Sequence, residues 1–165
     1  MDTRLDILTG MSGASQLADE YDGMMAQVIE VAESCSDEDW KVPCPNEERT
    51  VGVVFDHIAQ GNPQVVVWVN EFLAGHPVPL TAEELNARNA DHAHRAANRA
   101  RAETVHDLKE GSKRTSNAIR SLTEPQLHQT QEFAWAGRQD VAWVASAALR
   151  HPRGHLKSIQ EALGR

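Results

Sequence analysis

His151 and His155, in the stretch His151-Pro152-Arg153-Gly154-His155, stand four residues apart. On a helix that spacing stacks two side chains on one face, with Cβ atoms about 5–6 Å apart. Both imidazoles can then approach one cation at nitrogen–metal distances of about 2.0–2.1 Å. An isolated pair of this kind is a weak signal, but its surroundings strengthen it. Val144, Ala147 and Ala148 lie one and two turns earlier on the same side, which turns the pair toward an apolar interior. Two buried imidazoles that would repel on protonation need an explanation, and a metal ion supplies one. His57 is the third candidate, set among Val53, Val54 and Ile58. By itself it reads as one buried histidine satisfied by a neighbour. Together, three neutral imidazoles from two helices leave coordination positions open, as in a catalytic site rather than a closed structural one. Cys44 could offer a thiolate as a fourth ligand, but Pro43 and Pro45 fence it in a loop, and it is left out of the expected set. Pro152 is expected to loosen the turn at Ala148 and to alter the angle between the two histidines.

The elements that must position these residues are helical. Leu17, Tyr21, Met24, Val28, Val31 and Cys35 recur at three- and four-residue steps, which predicts a helix over about 14–35, capped by Ser12 or Ser15. Leu5 and Leu8 form at most one frayed turn ending at Gly10. Pro43 and Pro45 interrupt residues 36–50, and Trp40 is expected to plug the end of the fold. Thr50 caps a second helix running to about Leu73, with Pro63 expected to kink it near Gly61-Asn62. Thr81 and Glu84 form a capping box ahead of a short helix over about 82–90. The polar, Ala-rich residues 89–102 read equally as helix or as crossover loop. Val105, Leu108, Ser112, Thr115, Ile119 and Leu122 predict a helix over about 103–122, followed by a loop over 123–139. Asp140 caps a last helix, about 141–163, ended by Gly164. The expectation is a single all-α domain over 1–165, a four-helix bundle with a long crossover between its second and third helices.

Composition narrows the function. The 24 acidic and 16 basic residues give a net charge of −8, which argues against nucleic acid and against an anionic membrane surface. No apolar run approaches the length of a membrane span. The N-terminal stretch carries acids and no apolar core, so no signal peptide is expected and the protein is read as cytoplasmic, with Cys35 and Cys44 reduced. The five other histidines, His76, His92, His94, His106 and His128, are expected to be solvated or locally hydrogen-bonded.

Three pieces of the chain, in order, carry a family resemblance. Trp40, Pro43-Cys44-Pro45 and then Thr50-Val51-Gly52-Val53-Val54-Phe55-Asp56-His57-Ile58 look like a W-x-x-P…T-V-x-x-V-x-x-H-[LI] signature. His151-x-x-x-His155-Leu156 looks like a last-helix H-x-x-x-H motif, and Glu84-Leu85-Asn86-Ala87 is similar to a crossover region. In these the chain resembles the DinB-like (YfiT-like) family of metal-binding bundles, which includes the N-terminal domain of mycothiol-dependent maleylpyruvate isomerase. The resemblance implies one divalent ion, zinc, nickel or iron, held by His57, His151 and His155. It also implies a homodimer acting on a small molecule, with a low-molecular-weight thiol such as mycothiol or bacillithiol as co-substrate. Arg49 stands where the isomerase-like branch has Trp, Pro152 is unusual in the last motif, and no further domain is expected after the last helix, so isomerase activity is not expected.

A thiol S-transferase or related detoxification enzyme is therefore the leading expectation. Helical phase, with the second and last helices antiparallel, puts Gln64, Trp68 and Val144 beside the substrate. A metal-dependent hydrolase and a non-catalytic metal- or ligand-binding bundle remain open alternatives.

Overall fold

The computed structural model describes residues 13–165; the expected turn at Leu5 and Leu8 and the Ser12 cap lie outside them. Helix α1, Gly13–Ser34, buries Ala14, Ala18, Tyr21, Met25, Val28 and Ala32. Its buried stripe lies slightly round from the expected one, so Leu17, Met24 and Val31 pack only at its flank. Helix α2, Val51–Leu73, starts where the Thr50 hydroxyl accepts from the Val53 amide at 3.4 Å, and it continues through Pro63. Helix α3, Ala82–Ala96, opens on the expected capping box, with Glu84 accepting from the Thr81 amide at 2.9 Å. Helix α4 is Arg101–Arg120, α5 is the single turn Glu124–Leu127, and α6 is Val141–Leu163. Asp140 caps α6 by accepting from the Trp143 amide at 2.7 Å. Gly164 ends it at φ 68°, a left-handed conformation that costs glycine little.

The four long helices α1, α2, α4 and α6 make an all-α bundle, with α1 and α2 each packed against both α4 and α6. Side-chain pairs give the directions. Glu33 meets Lys109 while Asp19 meets Arg120, so α1 and α4 are antiparallel. His57 meets His155 while Trp68 reaches Phe133, just ahead of α6, so α2 and α6 are antiparallel as expected. Asp56 near the start of α2 meets Arg99 and Thr104 at the start of α4, so α2 and α4 run parallel. Parallel neighbours cannot be joined by a tight turn, and α3 is the return path that the crossover requires.

The connecting segments hold more structure than the sequence reading gave them. The polar residues 89–102 resolve into helix up to Ala96 and a short turn before α4. Residues 36–50 contain a 3₁₀ turn, Asp39–Lys41, and an antiparallel pair, β1 Pro43–Cys44 with β2 Arg49–Thr50. Trp40 stacks on Phe55 with ring centroids 5.2 Å apart, closing the bundle's end. Residues 123–139, expected as loop, carry α5 and a hairpin of β3 Thr130–Phe133 and β4 Gly137–Asp140. The Val78 amide and carbonyl bond to this hairpin at 2.9 Å, tying the segment after α2 to the segment before α6. Among the described residues, no helix is long and apolar enough to cross a membrane.

Candidate metal centre

His57 lies on the face of α2 toward α6, and His151 and His155 lie one turn apart on α6. Ring centroids are 4.7 Å apart for His57–His151, 4.8 Å for His57–His155 and 4.6 Å for His151–His155. One donor atom from each falls within 4.8 Å of the other two, and this is the one such cluster of metal-ligating residues among those described. Pro152 sits inside α6 without dispersing the pair.

Close approach is made possible by a glycine. A Cβ at position 61 would lie 2.5 Å from Cε1 of His151, so only a residue without a side chain lets that ring pack against α2.

The donor chemistry fits a cation in most respects. Burial, then the neighbouring His151, His155 and Arg49 charges, push the His57 pKa down to about 2. Burial, then His155 and Arg49, push His151 down to about 3. Both rings are therefore neutral at pH 7 and carry a free lone pair, which a metal ion requires. The Nε2 atoms of His57 and His151 stand 2.9 Å apart, a separation that two bare lone pairs would resist but that a shared proton or ion removes. Nδ1 of His155 lies 2.8 Å from Glu47 Oε1, so its N–H donates to the carboxylate and its Nε2 faces the cluster. Carboxylate support of this kind fixes the tautomer and raises ligand basicity. His151 lacks such support: its Nδ1 is buried with no hydrogen-bond partner.

Cys44 is outside the cluster. It is buried and free, and burial followed by the Glu47 charge raises its thiol to about 11, which disfavours a thiolate. Cys35 is likewise buried and free.

A cavity of about 760 Å³ opens beside the three histidines. Gln64 and Trp68 line it. Val144 does not: it is 1% exposed within the core, because the α6 face carrying it turns into the bundle below the cavity. His92 was expected to be solvated or locally hydrogen-bonded, and this is corrected: it is buried on a partner distant in sequence. It is 5% exposed, lines the cavity from α3, and bonds through Nε2 to Asp56 Oδ2 at 2.8 Å.

Asp56, next to His57, faces the other way and gathers a buried network. Its carboxylate also accepts from Arg99 at 2.6 Å and from Thr104 at 2.8 Å. Burial alone would raise the Asp56 pKa, but the bonds from His92, Thr104 and Arg99 and the guanidinium charge hold it below the ordinary range. Asp56 was legible as an acid set within the apolar run Val53-Val54-Phe55. Glu47 had no signal beyond its place in a long, proline-bracketed loop.

No curated protein matches the chain. The family model described as the DinB superfamily matches residues 20–159, a span holding all three histidines and every long helix but the ends of α1 and α6. On that match the chain belongs to the DinB superfamily.

Proposed function

We propose that the protein is a divalent-metal-dependent enzyme acting on a small molecule in the cavity, of the thiol S-transferase or detoxification type. The observation that carries this reading is the convergence of three imidazoles, two of them held neutral, on the wall of a cavity of about 760 Å³. A cavity of this size suits a ligand of a few hundred daltons. Three protein ligands leave room for an exogenous group, as catalytic sites do.

In this reading His57, His151 and His155 hold zinc, nickel or iron, and Glu47 keeps His155 in the ligating tautomer. A divalent ion there supplies positive charge that lowers the pKa of a nearby thiol, giving thiolate at neutral pH. Trp68 and Trp135 give the wall apolar surface against which a substrate's apolar part can rest. The co-substrate is a low-molecular-weight thiol such as mycothiol or bacillithiol, the active form a homodimer, and the location the cytoplasm.

The test is an electrophile screen on metal-loaded protein with and without added thiols. Turnover that requires both thiol and metal is the expected result. Turnover without thiol identifies hydrolysis instead, and metal binding with no turnover in either arm identifies a binding module. Light scattering at twice the chain's mass is expected for the dimer, and a monomer mass would remove that part.

A further inference from the structure

The cavity wall carries a charge pattern opposite to that of the whole chain. The protein has 24 acidic residues against 16 basic ones. Yet Arg49, Arg88, Arg95 and Arg150 all line this cavity, against two carboxylates, Glu47 and Asp91. Both carboxylates are already engaged: Glu47 with His155 at 2.8 Å and Asp91 with Arg95 at 3.0 Å. Arg49, Arg88 and Arg150 form no direct ion pair with a carboxylate among the described residues, although the Arg88 charge acts on Glu84 one turn earlier on α3. Elsewhere most described arginines pair, as Arg99 does with Asp56 and Asp107, Arg120 with Asp19 and Asp22 and Arg165 with Asp39, while Arg114 and Arg153 do not.

The three unpaired arginines come from three separate elements, β2, α3 and α6. Arg49 is half-buried, and its charge reaches both His57 and His151. The Arg150 guanidinium lies 4.9 Å from the Trp143 ring centroid and donates to the Trp143 carbonyl and to Ser146 Oγ, contacts that bring no counter-charge. Apolar surface shares the wall: Leu80, Leu85, Trp68 and Trp135, the last 44% exposed. His92, nine-tenths buried on the same wall, has an Nδ1 atom without a partner.

Arginine forks match planar oxyacid groups, with two charge-assisted N–H bonds to each. On this wall the chain's own fixed positive charge resides on the arginines. We infer that the cavity takes an organic anion: an apolar body, seated against Trp68 and Trp135, bearing a carboxylate or phosphate held by Arg49 with Arg88 and Arg150. This deepens the proposed function and rests on the cavity being its substrate site, but it does not depend on which reaction follows.

The test uses chelator-treated protein, so that no metal can hold the anion. Naphthylacetate, naphthylmethylphosphonate and the neutral naphthylacetamide are titrated by calorimetry at two salt concentrations. At least one of the acids should bind about tenfold tighter than the amide, with the preference shrinking at higher salt. Which acid wins separates the carboxylate from the phosphate form. Arg49→Gln, Arg88→Gln and Arg150→Gln should each reduce the preference, and the triple variant should abolish it while keeping the wild-type circular dichroism. These side chains are exposed or half-buried, so the single variants carry the test if the triple does not fold. Equal affinity for acid and amide, no binding of either acid at millimolar concentration, or a preference that survives the substitutions would overturn the inference. So would a preference seen only after metal is restored. An anion preference in a protein that takes up no metal would leave this inference standing and remove the metal-dependent function.

Discussion

Gly61 and His151 are packed so closely that the absent side chain of one makes room for the ring of the other. A Cβ at 61 would lie 2.5 Å from Cε1 and 2.9 Å from Nδ1 of His151. In a helix interior Gly61→Ala normally stabilises by about 1 kcal/mol. Here displacing the ring should cost about 1–3 kcal/mol, so the net change is destabilising or close to zero. The sharper consequence is loss of the His57–His151 approach. Metal uptake should fall well below wild type in elemental analysis, with helical circular dichroism retained. Unchanged uptake would show that His151 has room to move without leaving the cluster.

Glu47 is the next partner. Removing the acceptor of the His155 Nδ1–H frees that ring to rotate and change tautomer. Glu47→Ala should weaken metal affinity by about 10–100-fold, measured by competition with a chelating dye. Glu47→Gln, which keeps an acceptor oxygen, should retain more of it. Equal affinities in all three proteins would confine Glu47 to the β1–β2 loop's own stability.

Asp56 tests the framework rather than the metal. Truncation leaves Arg99, His92 and Thr104 without their shared acceptor in a largely buried place. Removing one partner of a buried ion pair costs about 3–5 kcal/mol. Arg99 is 28% exposed and can recover some hydration, so the lower end applies to Asp56→Ala. Urea unfolding should show this, and cleavage by a protease in the turn before α4 should increase as α3 loosens.

The fold was readable because its apolar stripes follow one helical period and its caps are explicit. Thr50, Thr81 and Asp140 each sit at the residue that caps a helix in the structure. The histidines were readable because their phases converge once α2 and α6 are antiparallel. The connections were not. The hairpin Thr130–Asp140 has two four-residue strands of mixed polarity, and it is tied to Val78, distant in sequence. His92 looked like one more histidine in a polar tract. Only the parallel pairing of α2 with α4, which folds α3 back over Asp56, buries it. Val144 was misplaced because helical phase fixes direction around an axis but not where a cavity ends.

Acid should destabilise the metal-free protein before it touches ordinary carboxylates. His57 and His151 have folded pKa values of about 2 and about 3, below the value of about 6.5 expected when unfolded. Between those limits the unfolded chain binds more protons, so stability rises with pH up to about 6.5 and falls as pH drops. From pH 7 to 5 the loss should be about 4 kcal/mol, about 2 from each ring. Melting of chelated protein across this range is the measurement. His57→Gln with His151→Gln should flatten the slope above pH 5. The depressed Asp56 pKa adds a separate loss, stability present above about pH 4 and lost below it as the carboxylate protonates.

The central claim is that His57, His151 and His155 together hold one divalent ion. Elemental analysis of the purified wild type and of His57→Ala, His151→Ala and His155→Ala tests it most directly, with circular dichroism confirming that each variant is folded. The account predicts about one equivalent of zinc, nickel or iron in the wild type and a steep fall in every variant. An unchanged metal content in all three folded variants, or a wild type that takes up no divalent ion under saturating conditions, would contradict it.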